Sequence, residues 1–316
     1  MTGRSNKDAK QRPVRHVTVD AESANRRLDN FLLTELKGLP RTRIYSMIRK
    51  GEVRVNKGRA RAATRLAEGD RVRIPPVTEA SKEAPLIAPH KADWILKHVV
   101  HEDEHLLALD KPAGLAVHGG SGVSLGAIEL LRAARPGSHF LELVHRLDRE
   151  TSGCLLVAKK RSALRKLHEE FRGGTVNKYY RALLLGDWQD DVREVDMPLL
   201  VEHRQNGERH VQPGAEGKPA LTRFRPEQRF AECILINIEL LTGRTHQIRV
   251  HAAAIGHPVA GDEKYGEGLP GPAGLDRLFL HACRLEVAHP STGVTLTLEA
   301  PLGEALQKVL EKLQRE

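Results

Sequence analysis

Cysteine is scarce: Cys154, Cys233 and Cys283 are the only three. An odd number without CxxC spacing argues against a disulfide framework and a zinc cluster. Their apolar neighbours mark them as reduced core residues. Long apolar runs are missing too, so nothing in the sequence approaches a membrane span. The polar, basic N-terminus has no apolar segment that could serve as a secretory signal, and a cytoplasmic location is the default expectation. Nucleotide-loop fingerprints are absent. Gly119-Gly-Ser-Gly122 is glycine-rich, but its spacing matches none, so it reads as turn chemistry. Neither an internal repeat nor a low-complexity segment appears beyond one Pro-rich stretch.

What is present begins with charge. The chain has 316 residues, 40% hydrophobic and 29% charged, which suits a soluble globular protein of two domains. Its net charge of +9 is unevenly spread. Residues 1–75 hold 19 Lys and Arg against 8 Asp and Glu, net +11, and the remainder is net −2. A charge serving only solubility would not segregate in this way. A module that binds a polyanion would, and phosphate backbone contact is the reading preferred here. An anionic membrane surface is the competing partner, but no cluster of large apolar residues accompanies the charge.

Along the chain, residues 1–16 are polar and basic without periodicity and read as a mobile tail. Arg26 to Leu36 has helical spacing at Leu28, Phe31, Leu32 and Leu36. A second helix carries Ile44, Met47 and Ile48 on one face, with Arg41, Arg43, Arg49 and Lys50 off it. Val53 to Gly58 and Glu68 to Ile74 read as strands and turns. Pro75, Pro76, Pro85 and Pro89 mark a linker over 76–89, where the domain boundary is expected. From about residue 90, short strands alternate with a few helices. Leu106 to Leu109, Val176 to Leu185, Ile234 to Leu241, Leu278 to Ala282 and Val294 to Leu298 read as strands. Leu125 to Arg132, Ser162 to Phe171 with Ser162 as cap, and Leu302 to Leu313 read as helices. Lys178, Tyr180 and Ala182 share one strand face. His145, His246 and His251 fit no common ligand spacing, and no metal is expected.

The stretch Leu143-Val-His-Arg-Leu-Asp-Arg-Glu-Thr-Ser-Gly153 organises the rest. Asp148 stands between Arg146 and Arg149, and a turn then leads into the apolar run Cys154 to Ala158, which reads as a buried strand. That places a carboxylate in a loop at a strand mouth, where scaffolds display reactive groups. Two flanking cations favour its ionised form, and an ionised, held Asp can serve as nucleophile or base. The plain alternative is a loop Asp in a surface ion pair.

His145-Arg-Leu-Asp-Arg-Glu-Thr-Ser-Gly153 resembles the RluA family of pseudouridine synthases. Four further stretches agree in order: Asp110 to Gly119, Lys178-Tyr-Tyr-Arg-Ala182, Thr242-Gly-Arg-Thr-His-Gln-Ile-Arg-Val-His251 and Gly256 to Asp262. Residues 26–74 resemble an S-four type (alpha-L) RNA-binding domain, carried by Arg-Leu-Asp-Asn-Phe-Leu, Ile-Arg-Lys-Gly-Glu-Val-Arg-Val-Asn and Glu-Gly-Asp-Arg-Val. The resemblance implies an RNA-binding domain at 17–75 ahead of a catalytic domain at 90–316. It implies an α+β catalytic fold on a mixed, largely antiparallel sheet. The implied activity is conversion of uridine to pseudouridine in 23S ribosomal RNA by a monomer. Another structured RNA such as tRNA, or a non-catalytic assembly factor, is the alternative.

The family's roles fall on Asp148 as the catalytic carboxylate and Tyr180 as the aromatic beneath the base. Arg249 is the basic partner expected to pair with Asp148. Arg146 fills the space of the flipped base, and Leu280 is a pocket wall. Arg41, Arg43, Arg49, Lys50 and Lys57 are the expected RNA contacts. Asp110 and Gly261-Asp262 stand as departures from the pattern that touch none of these roles. Isomerisation oxidises nothing and spends no phosphate, so no cofactor is required. A glycosidase with paired carboxylates would need a second placed acid, and none is apparent beside Asp148.

Overall fold

The structure is a computed structural model, and it describes residues 10–21, 23–36, 39–79, 89–119, 125–203, 209–266, 268–269 and 271–315. The chain divides into two compact units, residues 1–86 and 87–316.

The smaller unit is built from two helices and a four-stranded sheet. The helices are Leu28–Glu35 and Arg41–Arg49. The strands lie in the order Arg15–Thr18, Arg71–Ile74, Arg54–Val55, Gly58–Arg59, each antiparallel to its neighbour. Phe31, Leu32, Leu36, Ile44, Met47 and Ile48 close its core against Val53, Leu66, Val72 and Ile74. The apolar stripes therefore meet as their 3.6-residue spacing demands.

Two expectations need correction here. The tail was placed through His16, yet Arg15–Thr18 pairs with Arg71–Ile74 and Lys10–Arg12 with Val77–Glu79. The alternation of side chains in Arg15–Thr18 is that of a half-exposed strand. The proline-rich 76–89 likewise contributes Val77–Glu79 as a strand, and Pro89 opens a short helix to Ala92, a position where a missing amide costs nothing. Residues 80–88 of that expected linker, Gly120 to Gly122 of the glycine-rich turn and residues 1–9 of the tail lie outside the described residues.

The larger unit has one ten-stranded mixed sheet. Its main path runs Arg193–Asp196, Leu221–Arg229, Cys233–Leu240, Asn177–Leu185, Leu280–Ala288, Ser152–Ala158, Leu106–Lys111, Val99–Glu102. Thr295–Glu299 and Glu142–Leu143 pair alongside. The pairs are antiparallel except where Ser152–Ala158 runs parallel to Leu280–Ala288. Every residue of Ser152–Ala158 is buried, so the central strand is covered on both faces. On one face Ile128 and Leu131 of the helix Ala127–Ala134 pack with Leu155 and Val157. On the other, Ala163 and Leu167 of the helix Arg161–Gly173 pack with Cys154 and Leu156. Gly174 ends that helix with φ 74°, the left-handed turn that suits glycine. Its start differs from expectation: Ser162 lies inside the helix, and the capping position is Lys160.

Candidate active site

Asp148 is displayed by a turn held from below. Val144 donates its amide to Leu156 O, and Leu156 donates to His145 Nε2 at 3.0 Å, so the segment before the turn is laced to the central strand. Burial draws the His145 imidazole down to about 4, consistent with a ring nitrogen that must stay free to accept. Leu147 is buried and Thr151 N donates to Asp148 O, closing the turn.

Beneath it lies Lys111, fully buried, whose ammonium donates to the carbonyls of Pro112, Leu115 and Arg149 at 2.9, 2.8 and 3.0 Å. Burial pulls its pKa down to about 7, with nearby Glu150, Asp148 and Asp110 acting in the opposite direction. The turn is further joined to Gly114 by the Gly114 amide onto Arg149 O and by Arg149 Nε onto Gly114 O. Arg149 is therefore turned toward Gly114 and Glu150, and Arg146 is exposed. Among the described residues neither flanking arginine forms an ion pair with Asp148, and the nearest ionisable partner of its carboxylate is His246.

The Asp148 side chain keeps 33% of its surface. It opens into a cavity of about 530 Å³ shared with His118, Arg146, Phe171, Lys178, Tyr180, Leu240, Arg244, His246, Arg249 and Leu280. Tyr180 is only 9% exposed, against the ordinary expectation of a strand Tyr with its hydroxyl at the surface. The register of its strand against Leu280–Ala288 shifts between Tyr179 and Arg181, and such a bulge re-aims the side chain it carries. Burial raises the Tyr180 phenol, and the charge of Asp148 raises it further. Tyr179, on the opposite face, packs its ring under Arg284.

The third wall comes from Gly243 to Arg249. Gln247 accepts from Thr242 Oγ1 and the Arg244 amide, and it donates to Leu221 O and Thr222 Oγ1. That four-way anchor sets the start of the helix Gln247–Ala254. His251 bonds Met197 O and is wholly buried, while His246 faces the cavity.

Arg249 does not pair with Asp148. Its fork binds Asp262, Nε to Oδ2 at 2.7 Å and Nη2 to Oδ1 at 2.6 Å. Asp262 also accepts the amides of Lys264 and Tyr265. Burial pushes the Asp262 carboxyl up, but the Arg249 fork and these amides hold it below the usual range. Asp262 was read as touching no central role, yet it is the direct counter-charge of Arg249. Bidentate geometry explains the choice of partner, since a planar carboxylate matched to a guanidinium gains two charge-assisted bonds. The charge of Asp148 reaches Arg249 only at longer range.

Of the predicted site residues, Asp148, Tyr180, Arg249, Arg146 and Leu280 line one cavity. The sequence reading assigns no role in this site to Lys111, His246, Asp262 or Tyr265. Their signal was local: a lysine before proline, and polar residues within the matching stretches or just beyond them. In the smaller unit Arg43, Arg49, Lys50 and Lys57 are exposed, Arg43 within 3.5 Å of Glu52. The side chain of Arg41 lies outside the described residues. A separate cleft of about 480 Å³ there is lined by Tyr45, Arg49, Arg59 and Arg61. The last two arginines and the tyrosine were not anticipated.

A carboxylate at the mouth of a cavity, a buried phenol beside it and a basic rim have the make-up of an enzyme active site. The comparisons give the particular kind. Residues 105–254 match the family described as RNA pseudouridylate synthase, and residues 26–72 match the S4 domain. The chain is 51% identical over 309 residues to Ribosomal large subunit pseudouridine synthase C of Escherichia coli strain K12, covering 95% of this chain and 97% of that one. A Pasteurella multocida relative of the same name is 50% identical, covering 96% and 95%. Among solved structures, Human RNA Pseudouridylate Synthase Domain Containing 4 superposes with TM-score 0.60 at 25% identity, over 72% of this chain and 97% of that one. The chain belongs to the pseudouridine synthase family, and it is an RNA pseudouridine synthase carrying an S4 domain.

Proposed function

We propose that this enzyme converts uridine to pseudouridine at particular positions of 23S ribosomal RNA, with Asp148 as the catalytic carboxylate. The supporting observation is a single cavity that brings together Asp148, Tyr180 and Arg249, in a chain half identical to enzymes named for the ribosomal large subunit. The reaction breaks the bond from the ribose carbon to N1, turns the base and forms a bond from that carbon to C5. One proton leaves C5 and one ends on N1, so atoms and electrons balance without a cofactor.

In this reading the target base leaves its stack to enter the cavity, an extrusion that costs a few kcal/mol. Arg146, exposed at the rim, occupies the place the base vacates. Tyr180 supports the base, with Leu280 as the opposing apolar wall. Arg249 and Asp262 hold the floor in register. The S4 unit docks on RNA through Arg41, Arg43, Arg49, Lys50 and Lys57, with Tyr45, Arg59 and Arg61 added from the structure. The enzyme acts as a monomer, in the cytoplasm where ribosomes assemble.

The test is Asp148→Asn, incubated as purified protein with large-subunit ribosomal RNA, followed by mapping of pseudouridine. Isomerisation should fall at least ~10³-fold while RNA affinity stays within about twofold, because an amide keeps the shape and removes the charge. Wild-type turnover by the variant would end the assignment of Asp148.

A further inference from the structure

The cavity contains a group that this scheme leaves idle. His246 has φ 51° and ψ 20°, a left-handed backbone that non-glycine residues rarely adopt. Such a residue persists only where its surroundings hold it, and it is a pointer to function. Here the surroundings are on view. Gln247, next in the chain, donates its Nε2 to Leu221 O and Thr222 Oγ1 and accepts at Oε1 from Thr242 Oγ1 and Arg244 N, and Val250 N donates back to His246 O. The imidazole that results has Nδ1 at 2.8 Å from Tyr265 Oη and Nε2 at 3.9 Å from Asp148 Oδ2.

We propose that His246 is a positioning residue for the catalytic carboxylate. Its ring, with the tautomer selected by Tyr265, presents Nε2–H to Oδ2 of Asp148 and leaves Oδ1 to engage the nucleotide.

The tautomer follows from the hydrogen-bond chain. The amide of Val211 donates into Tyr265 Oη at 3.3 Å, so that oxygen already has a donor. The phenol proton then goes to His246 Nδ1, and the ring carries its own proton on Nε2. The opposite tautomer would turn a lone pair toward a carboxylate, which Coulomb repulsion disfavours. Burial lowers the His246 pKa. Asp148 and Asp262 pull it back up, and Arg249 and Lys264 push it down, so the neutral ring assumed here is the favoured one. Burial likewise raises the Tyr265 phenol, which keeps its proton. Among the described residues the Asp148 carboxylate has no closer side-chain partner than His246.

The same chain gives Arg249 a route to Asp148. Its partner Asp262 accepts the Tyr265 amide, its guanidinium lies 5.1 Å from the centre of the Tyr265 ring, and Tyr265 aligns His246. At 3.9 Å the contact is an electrostatic approach longer than a hydrogen bond, and it biases how the carboxylate turns, a pre-organisation that acts on rate and not on RNA affinity.

This inference rests on Asp148 as the reacting group, and its test separates the two. The full chain is assayed in single turnover by tritium release from transcripts of ribosomal RNA labelled at C5 of uridine. His246→Met keeps length and removes the donor. His246→Gln places an N–H where Nε2–H stood. The Met variant should lose about 10- to 100-fold in rate, the scale typical of residues that orient a reacting group, and Gln should recover most of it. RNA affinity and melting temperature should stay level across both. Tyr265→Phe should lose rate alone but cause no further loss in the His246→Met background, because it acts through the imidazole. Equal rates for Met and Gln, or additive losses with Tyr265→Phe, would overturn the proposal. An inactive Asp148→Asn beside a fully active His246→Met removes this inference only, whereas an active Asp148→Asn removes both.

Discussion

Asp262 has no exposed side-chain surface, and both its oxygens are occupied by Arg249. Taking away one charge of such a pair leaves the other buried and alone, which costs about 3–5 kcal/mol. Asp262→Asn should therefore lower the unfolding free energy measured in urea by that much at neutral pH and reduce isomerisation with it. The pH dependence has a definite sign. Its folded pKa lies below the ordinary value, so the unfolded chain binds more protons in between. The stability it confers is complete above the ordinary aspartate range near 4 and is lost as pH falls through the lowered folded value. The gap in stability between wild type and Asp262→Asn should thus narrow on the acid side. A gap constant from neutral pH down to about pH 2.5 would contradict the assignment of this carboxylate as the charged member of the pair. Asp262 lay within a stretch that matched the family, but nothing in Gly256 to Asp262 says which cation it meets. Partner choice is a property of the folded pocket, where Arg249 had two carboxylates within reach of its field and the bidentate one won.

The turn of Asp148 depends on two strands approaching closely, and one residue limits that approach. Gly153 has φ 109°, and a Cβ built on it would lie 2.2 Å from Ala282 O on the parallel neighbour. Any larger residue must part Ser152–Ala158 from Leu280–Ala288. Gly153→Val should cost about 3 kcal/mol by overpacking and strain, read as a lower urea midpoint at unchanged slope, and kcat should fall because Asp148 lies five residues away. A variant of wild-type stability would show that the parallel pair has room to spare.

Elements of this kind were partly legible. The helices at Leu28–Glu35 and Arg161–Gly173 show their apolar stripes, and Ser152–Ala158 shows as an unbroken apolar run. The helix Gln247–Ala254 did not, since Gln247 to Ala252 are all buried and a helix surrounded on every side has no polar face to reveal its period. The paired strands Leu199–His203 and Arg209–Pro213 were missed as well, because their polar residues give little alternation to read.

At the scale of the whole molecule, charge and chemistry are divided between the two units. The net +11 lies within residues 1–75, while among the described residues the cavity is lined by residues from Ala116 to Leu280. Phosphate neutralisation sets the salt dependence of RNA binding, at roughly 0.7 to 0.9 in log affinity against log salt per contact. In the smaller unit Tyr45 keeps 42% of its surface beside Arg49, Arg59 and Arg61, a ring for stacking among cations for phosphate. The Tyr45 hydroxyl is held by Asp29, whose charge Arg27 already offsets, so the cleft stays basic. Replacing the three arginines together with Gln should weaken binding to ribosomal RNA and flatten the salt slope by about 2 to 3. The rate at saturating RNA should remain within about twofold, because those side chains lie in the other unit from Asp148. Filter-binding titrations from 50 to 300 mM salt, run beside single-turnover rates, would read both quantities; ~10-fold slower chemistry with an unaltered slope would place the docking surface elsewhere.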